Sequence, residues 1–357
     1  MSTSTTPKKS GTPTVHEESS DDLTNAEISA SVVLGAEEIL RSTTEPVGVR
    51  IEGGHHRLQD RAFRWGAIGA GVTILVVLGF VTVFLFAEAW PAFVAGDAVG
   101  VNEPMNIWRY VAPFAFGTVW IATIALLLAT PVAIGIALFI SHYAPRKIAG
   151  PLGYLVDLLA AVPSVVFGLW GIGVLAPLVQ PLYVWLTENL GWIPLFRGPA
   201  SGTGRTVLTV ALVLAVMILP IMTAVCREVF LQTPRLQEEA ALALGATRWE
   251  MIRVAVLPGA TSGIISAMML GLGRALGETM AVAMVLSPAA LISFALLTTQ
   301  NPNTIAANIA LNFPEAFGLR VNTLIATGLI LFAITLAVNM GARWVINRRS
   351  QFSGANA

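Results

Sequence analysis

Charge is what this 357-residue chain has least of. Asp, Glu, Lys and Arg make up 12% of it and hydrophobic residues 55%, whereas a soluble domain carries roughly a quarter charged residues. So little charge cannot cover a water-facing surface of this size, so the solvent for most of the chain is lipid. Net charge is absent too: 21 basic residues balance 21 acidic ones. That leaves no basic excess to neutralise the phosphates of a nucleic acid. A single cysteine, Cys226, excludes an internal disulfide. The four histidines, His16, His55, His56 and His142, include no pair at helical ligand spacing, so a metal site has no support. Asp157 stands alone at the edge of an apolar run and no histidine lies inside one, which argues against an intramembrane hydrolase. There is no G-x-x-x-x-G-K-S/T phosphate loop, so any ATP chemistry must be supplied by another subunit.

What is present is unevenly spread. Residues 1–56 are polar, Ser/Thr/Pro-rich from Met1 to Asp22, with only a short helix-compatible stretch at Val32–Arg41. Such a segment buries too little apolar surface to offset its ordering entropy, so a disordered cytoplasmic tail is expected there. The first long apolar run starts at Trp65, too far in for an ordinary cleaved signal peptide, and reads as a retained anchor. Uncharged stretches then recur at Gly66–Ala87, Tyr110–Ser141, Leu158–Thr187, Thr206–Cys226, Val254–Gly273 and Val321–Ala342. Each meets the roughly 20 residues needed to cross the hydrocarbon. The expected fold is therefore an all-α integral membrane protein with six transmembrane helices over residues 57–349 and a short tail at 350–357. Pro131, and Pro163, Pro177 and Pro181 in the third stretch, predict kinks or a separate interfacial helix such as Pro181–Leu190.

With the N-terminus inside, the inner flanks hold Arg57, Arg61, Arg64, Arg146, Lys147, Arg227, Arg235, Arg248, Arg253, Arg343, Arg348 and Arg349, against Arg109, Arg197, Arg205 and Arg320 outside. That is the positive-inside pattern, and it puts both termini in the cytoplasm. Counting Thr279–Thr299 as a seventh span would reverse the last flank. One helix from about Pro258 to Leu286, stopped by Ser287-Pro288, is expected instead, with Arg274 and Glu278 inside it.

Two stretches carry chemistry. Between the fourth and fifth spans, Thr233-Pro234 reads as a cap with proline at the first helical position, and Gly245 as a left-handed stop. Thr247-Arg248-Trp249-Glu250 is a capping box. The result is a bent pair of short helices over about residues 233–258, with Ala240, Ala241 and Ala243 small enough for close docking. Many capped loops merely connect two spans, so geometry alone leaves docking and connection both open. In the second stretch, Arg274 and Glu278 stand four apart, at the spacing at which helical side chains meet. Gly273 and Gly277 beside them form a small-xxx-small face. The pair reads either as a self-satisfied lock between helices or as a guanidinium available to a passing anion, for which its fork of donors is suited.

Glu239-Ala240-Ala241, then Gly245, then Leu257-Pro258 resembles the EAA loop of ABC-importer permeases, with Ala255 where a larger aliphatic residue is usual. The resemblance implies that Glu239, Ala240, Ala241, Gly245, Leu257 and Pro258 form the coupling loop seated in a cleft of an ATPase subunit. The run Arg274 to Val282, together with Val162-Pro163-Ser164-Val165-Val166-Phe167-Gly168-Leu169, is similar to phosphate-specific (Pst) permeases, with a Met-Ala-Val ending of PstC type. This implies a type I ABC importer of the bacterial plasma membrane. Its parts would be a PstA-like second permease, a PstB-like ATPase dimer that binds ATP and Mg, and a PstS-like phosphate-binding protein. No cofactor would be bound by this chain. The resemblance also implies that Arg274 and Glu278 lie on the phosphate pathway, with Ser164 a further candidate whose hydroxyl can equally bond back to its own helix. Sulfate or molybdate import, or a stand-alone carrier or channel, are the rival expectations.

Overall fold

The computed structural model describes residues 56–99 and 104–350. The expected tails at 1–56 and 350–357, including Val32–Arg41, lie outside the described residues except for His56 and Ser350. The chain divides into two compact units, one ending at Ile74 and one beginning at Leu75. The described part of the first is the opening half of helix α1 (His56–Val94), with every side chain from Arg61 to Ile74 exposed.

Six helical segments are long and apolar enough to cross a membrane: Arg61–Val94, Ile107–Tyr143, Ser164–Leu190, Val207–Leu231, Arg248–Leu276 and Leu319–Trp344. They match the six uncharged stretches one for one. The centre of the second unit is the contact between α2 (Ile107–Leu138) and the helix of the fourth span, Val207–Leu231. Ala122, Ala125, Ala129, Ala133 and Ala137 form one stripe along α2, each at most 1% exposed. Residues four apart share a helix face, and small ones let a neighbouring backbone come close. Leu214, Ile218, Met222 and Cys226 of the fourth span fill the facing stripe.

Three of the spans contain a π-helical turn close to a proline. The second span does not stop at its end but widens into a π-helical turn at Phe139–Tyr143; the third contains one at Gly171–Leu175, and the fifth one at Ile252–Val256. Each turn ends two residues before a proline: Pro145, Pro177 and Pro258. A helical proline lacks an amide and its ring collides with the carbonyl four residues back. That carbonyl belongs to Ser141, Gly173 or Val254, the middle residue of each turn. The residue before each proline donates instead to the carbonyl five back, as Ala144 does to Phe139 at 2.7 Å. At Pro177 and Pro258 the extra residue moves the obstructing carbonyl aside and the helix continues, whereas the second span ends at Tyr143, with Ala144 and Pro145 extended before the next helix opens at Arg146. Pro181 starts no separate helix, and the third span runs as one helical segment from Ser164 to Leu190.

In chain order the remaining elements are α3 (Arg146–Ala160), α4 (Ser164–Trp170), α5 (Ala176–Leu190), α6 (Val207–Leu231), α7 (Arg235–Ala243), α8 (Arg248–Met251), α9 (Leu257–Leu276), α10 (Met280–Val285), α11 (Ile305–Asn312) and α12 (Leu319–Ser350). Helix α3, an amphipathic helix whose Tyr154, Leu155 and Leu158 are exposed, was not expected from the sequence. The third span begins only at Ser164, after Pro163, and not at Leu158.

The single helix expected from Pro258 to Leu286 is two. Helix α9 ends at Leu276, Gly277 to Thr279 are non-helical, and α10 follows. Beyond α10 the chain is extended and irregular to residue 304, with strand β1 (Pro288–Ala289) pairing in parallel with β2 (Asn301–Pro302). Leu286, Leu296, Leu297 and Asn301 to Thr304 of this segment are buried, whereas Ile292 and Phe294 are exposed. Arg205 caps α10: its Nη2 donates to the carbonyls of Met284 (3.0 Å) and Leu286 (3.2 Å) and its Nε to that of Val285 (3.2 Å). Asn301, fully buried, donates from Nδ2 to the carbonyls of Arg205, Ser287 and Thr299 and accepts the Val207 amide at Oδ1.

Candidate functional site

The first site is the loop between α6 and α9. Helix α7 starts after Pro234, which occupies the cap position itself; Thr233 makes no capping bond, contrary to the sequence reading. The stop is as expected. Gly245 sits at φ +86°, a left-handed conformation that costs a residue with a Cβ roughly 1–2 kcal/mol. Its amide bonds to the Leu242 carbonyl (3.0 Å), and Ala246 closes back to Ala241 (3.2 Å). The capping box forms in full: the Glu250 amide donates to Thr247 Oγ1 (3.3 Å) and the Thr247 amide to Glu250 Oε2 (2.8 Å). Glu239, Ala240 and Gly245 are exposed and Ala241 half-buried, and Leu236, Leu244 and Trp249 present apolar surface beside them. Leu257 and Pro258 do not interrupt the chain, because the π-helical turn carries α8 straight into α9.

One further bond ties this loop to the membrane part. His142 Nε2, in the π-helical turn that ends the second span, lies 3.6 Å from Glu238 Oε1 of α7, and its Nδ1 meets Ser141 Oγ at 2.7 Å.

The second site lies at the far end of α9. Ser266, Met269, Leu270, Gly273 and Arg274 occupy one face of that helix and line an open groove of about 610 Å³. Asn339, Ala342 and Arg343 of α12 line its other wall, with Ile221 of α6 between. Arg274 is half-buried, and its Nε is buried without a hydrogen-bond partner. Among the described residues no carboxylate stands within ion-pair distance of it. The expected Arg274–Glu278 pair on one helical face is therefore not made. The helix ends at Leu276, and Glu278, 9% exposed, turns to the next element, where its Oε1 accepts the Ala281 amide at 3.1 Å. A carboxylate at a helix start satisfies free amides and opposes the dipole, which fixes α10 in place. Ser164 opens α4, the helix packed on α10; it is half-buried and is not among the groove-lining residues.

Sequence reasoning missed Asn339 and Arg343 as lining residues, having taken Arg343 only as a flanking charge. Their spacing of four, in an otherwise apolar final span, was the available signal.

The sequence pattern of the family described as "Binding-protein-dependent transport system inner membrane component" matches residues 129–351. The chain belongs to this family, in its PstC branch. It is 44% identical over 310 residues to the protein named "Phosphate transport system permease protein PstC 2" of Mycobacterium tuberculosis, a match spanning 84% of this chain and 95% of that one. It is 41% identical over 309 residues to "Phosphate transport system permease protein PstC" of Mesorhizobium japonicum, spanning 84% and 93%. Among solved structures, a bacterial ABC transporter involved in the import of the acidic polysaccharide alginate aligns with a TM-score of 0.54 at 16% identity, covering 82% of this chain and 99% of that one. That likeness carries the fold alone, the type I permease fold; the family and the six apolar helices make the chain a multi-pass plasma-membrane protein.

Proposed function

We propose that this chain is the PstC-type permease subunit of an ATP-driven importer of inorganic phosphate. The observation that carries the reading is the identity of more than two-fifths with proteins named as phosphate permeases, along nearly their whole length. Permease subunits of this kind are not themselves enzymes. The partners proposed are a PstA-like second permease, a PstB-like ATPase dimer holding ATP and Mg, and a PstS-like phosphate-binding protein on the outer face. Both termini and the loop carrying Glu239, Ala240, Ala241 and Gly245 then face the cytoplasm, the side the basic flanks favour.

The chemistry asked of this chain is to pass an oxyanion through lipid depth. A charged side chain within a membrane-spanning segment is costly, so it is retained where it meets a partner or water. Arg274 lines an open groove with a buried Nε and no carboxylate on it. Its guanidinium offers fixed N–H donors to a tetrahedral anion. Glu278 acts indirectly, by holding the start of α10 against the end of α9. Ser164, at the start of α4, borders the same element.

Coupling follows the helices. Closure of the ATPases displaces α7 and α8, and the uninterrupted rod Arg248–Leu276 ends within one turn of Arg274. Its 29 residues span roughly 43 Å at 1.5 Å per residue. A movement at the loop thus reaches the guanidinium without a flexible joint. Uptake of radiolabelled phosphate by the reconstituted importer, challenged with unlabelled phosphate, arsenate or sulfate, tests the substrate. Competition by phosphate and arsenate and none by sulfate supports it; competition by sulfate alone refutes it.

A further inference from the structure

The groove beside Arg274 has a second wall with a cation of its own. Its polar lining consists of Arg274 and Ser266 from α9 and Asn339 and Arg343 from α12, and no Asp or Glu lines it. Neither guanidinium is neutralised: among the described residues Arg343 forms no ion pair or hydrogen bond, and the buried Nε of Arg274 is unpaired. Asn339 and Arg343 stand one helical turn apart on α12, opposite the Ser266–Arg274 face of α9. Two like charges converging on one cavity repel, and the arrangement is favourable only when an anion sits between them or water screens them. The donors on offer are two planar forks, an amide and a hydroxyl. Guanidinium forks match oxyanions bidentately, and two of them together favour a compact oxyanion carrying more than one negative charge.

We propose that Arg343 and Asn339 complete, with Arg274, a two-guanidinium site for a phosphate group, taken from free phosphate or from the headgroup of an anionic lipid. The inference rests on the reading of Arg274 as a pathway residue and adds a residue some 70 positions later in the chain. The site lies between two helices that contact each other. A free anion held there would have passed from one guanidinium to the pair before release.

The test uses the assembled importer, purified with its ATPase and reconstituted, and reads arginine-directed modification by phenylglyoxal at Arg274 and Arg343 by peptide mass spectrometry. In vesicles of phosphatidylcholine alone, inorganic phosphate is expected to slow modification of both arginines with one shared concentration dependence, and sulfate much less. Protection of Arg343 by added phosphatidylglycerol without phosphate identifies the headgroup as the source. Arg343→Gln, checked for intact capture of the ATPase, is expected to lower phosphate uptake about tenfold, the worth of one charge-assisted contact. Arg343→Lys is expected to restore only part of that. If Arg343 reacts at one rate in phosphate, in phosphatidylglycerol and in neither, and Arg343→Gln imports normally, the second site does not exist. Failure of the unmodified importer to take up phosphate at all would instead refute the reading beneath it.

Discussion

Glu238 of α7 and His142 at the end of the second span meet at 3.6 Å, and this is the only contact of an acidic with a basic side chain among the described residues. It joins the loop between α6 and α9 to a helix nearly 100 positions earlier in the chain. The contact is a second route from that loop into the membrane part, beside the continuous rod from α8 to α9. The His142 side chain is 9% exposed and that of Glu238 24%. A partly exposed pair of this kind is worth at most about 1 kcal/mol, so its role is positional more than stabilising.

Glu238→Gln and His142→Leu should therefore leave assembly intact and lower the ratio of phosphate transported to ATP hydrolysed. Parallel uptake and ATPase assays on the reconstituted complex check this. An unchanged ratio in both variants would mean that the contact transmits nothing.

Gly245 should tolerate no side chain. Its φ of +86° strains any L-residue, and a β-branched one most. Gly245→Val is expected to cost about 2 kcal/mol locally and to unseat α7 from α8. The readout is loss of ATPase co-purification with an unchanged thermal transition of the membrane part.

Helix α9 crosses α6 at Gly271, where an added Cβ would stand 2.8 Å from Met222 Sδ and 2.9 Å from its Cγ. Gly271→Leu should destabilise the bundle by about 1–3 kcal/mol through overpacking. Gly271→Ala should be rescued in part by Met222→Ala, which clears the methionine side chain from that contact. A double-mutant cycle on detergent-solubilised protein measures the coupling, and strict additivity would place the crossing elsewhere.

Arg205 was read from the sequence as an outer-loop charge, yet its guanidinium binds three successive carbonyls at the end of α10. Arg205→Ala should cost about 3 kcal/mol, and Arg205→Lys should recover little because an ammonium cannot span the three acceptors. The thermal midpoint of the purified chain gives the answer.

The spans were legible because lipid strips charge from whatever crosses it, and runs such as Thr206–Cys226 carry that mark directly. The bent loop was legible for a related reason: Gly245 and the Thr247–Glu250 box are local devices, complete within a few residues. The prolines misled, since periodicity records that Pro177 and Pro258 lie in helical sequence but not that the preceding turn widens to admit them. The break after Leu276 was missed because Ala275 and Leu276 favour a helix and the Arg274–Glu278 spacing imitates a helical ion pair. Gly277 and Thr279 were the weak opposing signs. The irregular segment beyond α10 depends on the bonds of Arg205 to Met284, Val285 and Leu286 and of Asn301 to Arg205, which span about 80 and 96 positions, and no local pattern announces such bonds.

The most direct test of the account is phosphate uptake by the assembled importer carrying Arg274→Gln. Loss of uptake by at least about tenfold, with the ATPase still bound and Arg274→Lys only partly active, is the expected result. Uptake at the unaltered rate by the intact Arg274→Gln complex would contradict it.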